Sequence, residues 1–297
     1  MTAPHLSKTV VAIFGPTASG KTEVAEALAA EIPVGIVSAD SMQLYRGLPV
    51  LTNQPELPCA LVGVWPLDHE GSVAEFQHRA HEAIDRLLMA GRTPIVVGGT
   101  GLYLRAALAD FDLPPAPDPG ARERWERVYD RLGPTRAHAI LAERDPRAAR
   151  SLHAKDRRRV VRALELYESG ESLAPPRSRL WASETRHPTR IFGLALPREV
   201  LDERIRARTE AMFARGVEKE VASAHRGRLS KTADQIIGLR EVAELPRDEA
   251  VAAIALRTRQ FAAYQRKWMR RIPGLVSIDA DREPAAVASD ILTVLRA

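Results

Sequence analysis

The chain has 297 residues, 45% of them hydrophobic, enough for a buried core in one large domain or two moderate ones. Its 43 Lys and Arg, 37 of them Arg, outnumber 38 Asp and Glu, and a formal charge of +5 suits a polyanionic partner or an acidic substrate. A lone cysteine, Cys59, excludes an internal disulfide and a zinc finger, no apolar run reaches membrane-spanning length, and the stretch Val10–Phe14 is too short for a signal-peptide core; the expectation is a soluble, cytoplasmic protein.

Residues 9–14 (TVVAIF) read as a buried strand, and 21–31 as a helix with Val24, Ala25 and Leu28 on one face. A short strand at 34–37 runs into the polar turn Ser38-Ala39-Asp40-Ser41. A helix covers 73–90 and stops at Gly91; a buried strand from Thr93 to Val97 follows and ends in Gly98-Gly99. Strands alternating with helices predict a parallel sheet covered on both faces. The pattern changes at Leu113-Pro114-Pro115-Ala116-Pro117-Asp118-Pro119, a stiff boundary. Residues 120–185 are helical in pattern with no strand. A strand returns at 190–196, then helices at 199–215, 217–225, 239–245 and 247–271, a strand at 276–278 and a closing helix at 283–296. The fold class expected is α/β: a P-loop NTPase-like parallel sheet core, 1–112 and 186–297, with an all-helical domain inserted at 113–185.

Gly15-Pro16-Thr17-Ala18-Ser19-Gly20-Lys21-Thr22 matches G-x-x-x-x-G-K-[ST], between a predicted strand and a predicted helix, which is the setting this motif needs. Glycines let the main chain wrap so that its N–H groups point at phosphate oxygens. The helix N-terminus adds partial positive charge, Lys21 a full one, and Thr22 a hydroxyl for Mg2+. The loop implies a ligand bearing a diphosphate and names no reaction. Nucleotide hydrolases carry an acid at the end of a second apolar strand. Here that strand ends in Gly98-Gly99-Thr100-Gly101, and the acid at hand is Asp40. At the carboxyl edge of the sheet, Asp40 has three readings: binding metal, accepting a proton from a nucleophile, or capping the next turn.

With this loop, Ser38-Ala39-Asp40-Ser41-Met42-Gln43-Leu44-Tyr45-Arg46-Gly47 and Val97-Gly98-Gly99-Thr100-Gly101-Leu102-Tyr103, the chain resembles the bacterial tRNA dimethylallyltransferases, also called tRNA isopentenyltransferases. Further matches follow in order: Asp156–Glu165, Arg204-Ile205 with Arg208 and Met212, Ile237-Gly238 with Glu241, and Thr258-Arg259-Gln260 leading to Trp268. The resemblance implies transfer of a dimethylallyl group from dimethylallyl diphosphate to N6 of the adenine 3′ of the anticodon. It implies that Asp40 orients N6 and takes its proton, that Thr17 lies near the reacting centre, and that Arg208 grips the diphosphate from the opposite side. Mg2+ on Thr22 would assist. Asp40, Ser41, Met42 and Gln43 match the adenine-contacting stretch, while Thr100, Arg122 and the helix bearing Arg158, Arg159 and Arg162 match tRNA contacts. The partners implied are the anticodon stem-loop of tRNA and dimethylallyl diphosphate, with no membrane and a monomeric enzyme.

Residues 150–162 hold six basic side chains and one acid. Val160, Leu164 and Tyr167 recur at helical spacing as a buried stripe, which sends Arg158, Arg159 and Arg162 elsewhere; the alternative is an ordinary solvated face. The last long helix interleaves six cations with Phe261, Tyr264 and Trp268, a composition suited to loop RNA, although the aromatics read better as core. The chain departs from the family pattern at Leu51-Thr52-Asn53-Gln54-Pro55, Cys59-Ala60-Leu61-Val62-Gly63, Lys155 and Ala263-Tyr264-Gln265-Arg266-Lys267, and residues 51–63 are assigned no RNA contact. Two rival activities remain, a P-loop small-molecule kinase and an adenylate isopentenyltransferase acting on free nucleotide. A large helical insertion is needed by neither.

Overall fold

A computed structural model of the chain describes residues 8–111, 113, 120–174 and 182–296. Six strands, β1 (Val10–Phe14), β2 (Val34–Ser38), β3 (Cys59–Ala60), β4 (Thr93–Gly98), β5 (Thr189–Ala195) and β6 (Leu275–Asp279), form one sheet in the order β3-β2-β4-β1-β5-β6. Every pairing is parallel. β1 and β4 are buried along their whole length, because helices cover both faces. Register brings the working ends level: Phe14 pairs with Gly98 and Gly193, and Ser38 with Val97. The loop leaving β1 and the turn leaving β2 therefore emerge on the same carboxyl edge, where ligands of open α/β sheets bind. β3 is a two-residue edge strand that periodicity had too few residues to reveal.

The helices, in chain order, are α1 (Lys21–Glu31), α2 (Val73–Met89), α3 (Gly101–Leu108), α4 (Ala121–Arg144), α5 (Pro146–Ser151), α6 (Arg157–Glu168), α7 (Arg198–Ala214), α8 (Val217–Ala224), α9 (Leu239–Glu244), α10 (Arg247–Met269) and α11 (Pro284–Arg296). Val24, Ala25 and Leu28 of α1 pack with Val287, Ile291 and Leu292 of α11 against Ile13 and Phe192 of the sheet. Truncating a side chain such as Leu28 to Ala removes about 2–5 kcal/mol. Ser72 starts α2 by accepting the Glu75 N–H at 3.1 Å. α3 is unforeseen by the sequence reading: it is only eight residues long, and six of them are buried.

The chain divides into two compact units, Met1–Asp110 with Ser183–Ala297, and Phe111–Ala182. The proline-rich boundary at 114–119 lies outside the described residues. In the second unit no strand occurs among the described residues, and Trp125, Tyr129, Leu141, Val160 and Leu164 form the core. Gly133, at φ 78°, and Pro134 break α4 into two arms. Asp145 and Asp156 cap α5 and α6 by accepting the Ala148 and Arg159 N–H groups.

Two expectations about side chains are corrected. Tyr167 is 43% exposed, because the stripe of α6 runs through Val160, Val161, Ala163 and Leu164, and Tyr167 comes on the final turn beyond it. On α10 the buried face is Ala250, Ile254, Ala255, Ala262 and Gln265. Tyr264 sits off that face at 54% exposure, and Phe261 and Trp268 are only half-buried.

Candidate active site

The loop between β1 and α1 is shaped by local backbone. Gly20 takes φ 84°, a left-handed conformation that glycine adopts without strain, and hands the chain into α1. Ala18 takes φ 62° without that freedom, at a cost of roughly 1–2 kcal/mol. Gly15 lies against Ser19, whose hydroxyl is buried without a hydrogen-bond partner. A buried orphan hydroxyl on a residue that lines the cavity fits an oxyanion guest. The Lys21 ammonium donates to the Pro16 carbonyl at 2.7 Å. Burial pulls the Lys21 pKa down to about 8; Asp40 pushes it back up and Arg208 pushes it further down.

Thr17 is held from two sides. The Arg208 guanidinium, from α7, donates to its hydroxyl at 2.8 Å. Burial lowers the Arg208 pKa, opposed by the Asp40 and Glu23 carboxylates. The Gln265 amide oxygen, from α10, accepts the Thr17 N–H at 2.8 Å. Leu201 and Ile205 of α7 pack on Ala255 and Ala262 of α10, which fixes the helices that present these two groups. A Cβ on Gly99 would come within 2.1 Å of the Gln265 amide nitrogen, so the turn after β4 needs glycine there.

Asp40 stands two residues beyond β2. Its carboxylate accepts the Met42 N–H at 2.9 Å, and its own N–H donates to the Ser38 hydroxyl at 3.3 Å. Ser38 donates in turn to the Gln43 amide oxygen at 2.9 Å. The Gln43 amide nitrogen donates to the carbonyls of Asn53 at 2.8 Å and Thr52 at 3.3 Å. Gln43, matched to an adenine contact, also braces the 51–53 turn. The same turn is clamped from α8, where the Glu220 carboxylate accepts the Val50 and Leu51 N–H groups at 2.8 Å each. Ser41 and Thr100 meet hydroxyl to hydroxyl at 3.3 Å, Met42 is half-buried at the site, and Leu44 is core.

These residues surround one cavity of about 540 Å³ in the α/β unit. Thr17 to Thr22, Arg208 and Asp40 form its charged side, and Leu51, Met212, Ile254 and Phe261 supply apolar wall. Met42, Gln43, Thr52 and Asn53 complete the Asp40 side. Among the described residues no three His, Cys, Asp or Glu cluster as a metal cage. The Thr22 hydroxyl and Asp40 carboxylate are hard oxygen donors on one cavity, and this sparse set suits Mg2+, which takes most of its ligands from phosphate and water.

The sequence-expected RNA contacts of the helical unit are of two kinds. Arg158 and Arg159 are exposed on α6 and make no ion pair among the described residues. Arg122 and Arg162 both bind Glu165, a buried carboxylate, while their own side chains stay part-exposed. Arg157 grips Asp130 through two hydrogen bonds at 2.8 and 2.7 Å.

The sequence reading missed Gln265, Glu220 and the 51–53 turn. Gln265 had a signal, since it falls on the Ile254–Ala262 face of α10, where a polar residue must find a partner. Glu220 had none, because its partners are main-chain N–H groups about 170 residues away.

A family model described as IPP transferase matches residues 43–272, and one described as isopentenyl transferase matches residues 8–62. A tRNA dimethylallyltransferase of Corynebacterium jeikeium is 38% identical to the chain, over 96% of each. One of Kineococcus radiotolerans is 40% identical, also over 96% of each. The crystal structure of the tRNA isopentenylpyrophosphate transferase of Bacillus halodurans matches with a TM-score of 0.70 at 29% identity, over 97% of this chain and 95% of that one.

Proposed function

Since the chain belongs to the IPP transferase family, we propose that its α/β cavity is where a dimethylallyl group passes from dimethylallyl diphosphate to N6 of the tRNA adenine 3′ of the anticodon. The chain is a prenyltransferase that modifies tRNA. One observation carries the assignment of the site: a single cavity collects the phosphate loop, Arg208 and Asp40.

The reaction forms a bond from N6 to C1 of the donor and breaks the C1–O bond, and diphosphate leaves with the electron pair. The adenine N6 is a poor nucleophile because its lone pair is delocalised into the ring, and its proton becomes acidic as the new bond forms. Asp40 accepts that proton. Its tether to the Met42 N–H fixes the carboxylate before the base arrives. Lys21, Arg208 and the loop N–H groups stabilise the leaving diphosphate where its charge develops. Thr17, held by Gln265 and Arg208, keeps the cradle in register with Asp40. Thr22 would hold Mg2+, which when bound neutralises diphosphate charge. Arg158 and Arg159 hold the anticodon arm by its phosphates, in a monomeric cytoplasmic enzyme. No helix among the described residues is long and apolar enough to cross a membrane.

The test is mass spectrometry of nucleosides from unmodified tRNA after incubation with the protein, Mg2+ and dimethylallyl diphosphate. Parallel reactions replace tRNA with AMP, or the prenyl donor with ATP. A prenylated adenosine from tRNA alone is the expected result. Prenylated AMP, or ATP consumed without any prenyl transfer, would overturn it in favour of the free-nucleotide enzyme or the kinase.

A further inference from the structure

Glu165 lies on the last turn of α6 with none of its side chain exposed. A carboxylate so placed loses its hydration and needs strong partners. It has two: one oxygen accepts the Arg122 Nε–H at 3.2 Å, from the first turn of α4, and the other pairs with Arg162 Nη1 one turn earlier on α6. The cations are not buried with it, since the Arg122 and Arg162 side chains are 38% and 24% exposed. One hidden anion thus holds two guanidinium groups that reach the surface.

Neighbouring pairs look different. Asp130, the partner of Arg157, is 59% exposed, and Glu168, the partner of Arg124, is 31% exposed. Pairs of that kind contribute little. If residue 165 only had to join α4 to α6, an apolar side chain beside Val161 and Leu164 would do so without a desolvation penalty. What a buried carboxylate adds is a fixed orientation for two arginines. A guanidinium is planar and presents its N–H donors in a fixed fork that matches phosphate geometry. Two of them, held side by side, match phosphate oxygens on a nucleic-acid backbone.

We propose that Glu165 is a positioning residue for RNA: it holds Arg122 and Arg162 as a preset pair that engages backbone phosphates of the tRNA. The proposal rests on the reading that the helical unit binds tRNA. Ordering the arginines in the free protein lowers what binding must expend on immobilising them. It also makes an unusual prediction of sign. Removing an acid raises the positive charge of the unit, and counterion release alone would then tighten RNA binding. Positioning demands the opposite.

The experiment measures tRNA affinity across a KCl titration, with KM and kcat, for the full-length protein and the variants Glu165→Gln, Arg122→Gln and their double. Glu165→Gln is expected to bind tRNA about tenfold more weakly, with KM for tRNA raised in step and a log–log salt slope shallower by about one to two. kcat at saturating tRNA and KM for dimethylallyl diphosphate stay unchanged, a split that a general loss of structure would not give. The double variant loses about what Glu165→Gln loses alone, because Glu165 acts through Arg122. Equal or tighter binding by Glu165→Gln, or additive losses in the double, overturns the proposal. If Glu165→Gln does not fold, Arg122→Lys carries the test with Glu165 intact. It keeps the charge and loses the planar fork, so weaker binding is expected and unchanged binding overturns the idea. If the unaltered protein fails to bind tRNA, the functional reading falls first and takes this proposal with it.

Discussion

The two units use positive charge in opposite ways. In the α/β cavity the cations are few and buried: Lys21 and Arg208 converge with Asp40 on the phosphate loop, and burial lowers the pKa of both. In the helical unit they are many and lie near the surface, and several are paired with acids: Arg124 with Glu168, Arg157 with Asp130, Arg122 and Arg162 with Glu165. A desolvated cation binds a compact dianion strongly and responds to pH, because little water screens it. A solvated cation binds a long polyanion weakly, contributes through numbers, and responds to salt. Under the proposed function, the contrast would separate a site for chemistry on a diphosphate from a surface for RNA.

The comparison breaks most sharply at Asp40. Asp40→Asn keeps an oxygen for the Met42 N–H and removes the base; kcat is expected to fall about 10³-fold in steady-state prenyl transfer, with donor and tRNA affinity held. Lost binding with normal turnover would return Asp40 to a turn cap. Lys21→Met comes next, weakening the donor about 100-fold by isothermal titration, with tRNA binding unaffected. The same residue sets a pH dependence. With its pKa lowered to about 8, Lys21 carries its proton below that pH and loses it above. In the free enzyme kcat/KM for the donor is therefore level below pH 8 and falls by up to about tenfold per unit above it. Lys21→Arg abolishes that fall.

Gln265→Met keeps volume and removes the acceptor for the Thr17 N–H; about a tenfold loss in kcat/KM for the donor is expected, with unchanged tRNA affinity, from the same kinetic assay. Arg158→Ala with Arg159→Ala sharpens the other side. tRNA binding weakens several-fold at low salt and its log–log salt slope drops by about two, while donor affinity stays put. The smallest effect is at Cys59, whose thiol burial pushes up to about 12. Iodoacetamide at pH 8 should leave it unlabelled in the folded protein, as intact mass would show.

The phosphate loop was legible because its chemistry needs contiguous residues, and Asp40 because a fixed turn places it two residues after a strand. The parallel sheet was legible from short apolar runs spaced by helices. β3 and α3 were not, the one two residues long and the other only two turns after a glycine-rich turn. Gln43 and Arg162 show a different limit. Their partners inside the protein were not foreseen: Gln43 braces Asn53, and Arg162 is drawn to Glu165. Neither partner follows from local pattern, because each pairing depends on the hydrogen-bond demand of a neighbour buried by packing.

The sequence by itself determined most of the strands and helices, the loop with the phosphate-binding motif, the acid beside it and a basic helical segment. All of these follow from residues near one another along the chain. Tertiary structure alone decided which charges are buried, and so which are chemically tuned. Gln265 meets Thr17 across 248 positions, and Arg208 meets it across 191. Burial is a property of everything packed around a group, and it is burial that turns Lys21 from an ordinary lysine into one that titrates near 8.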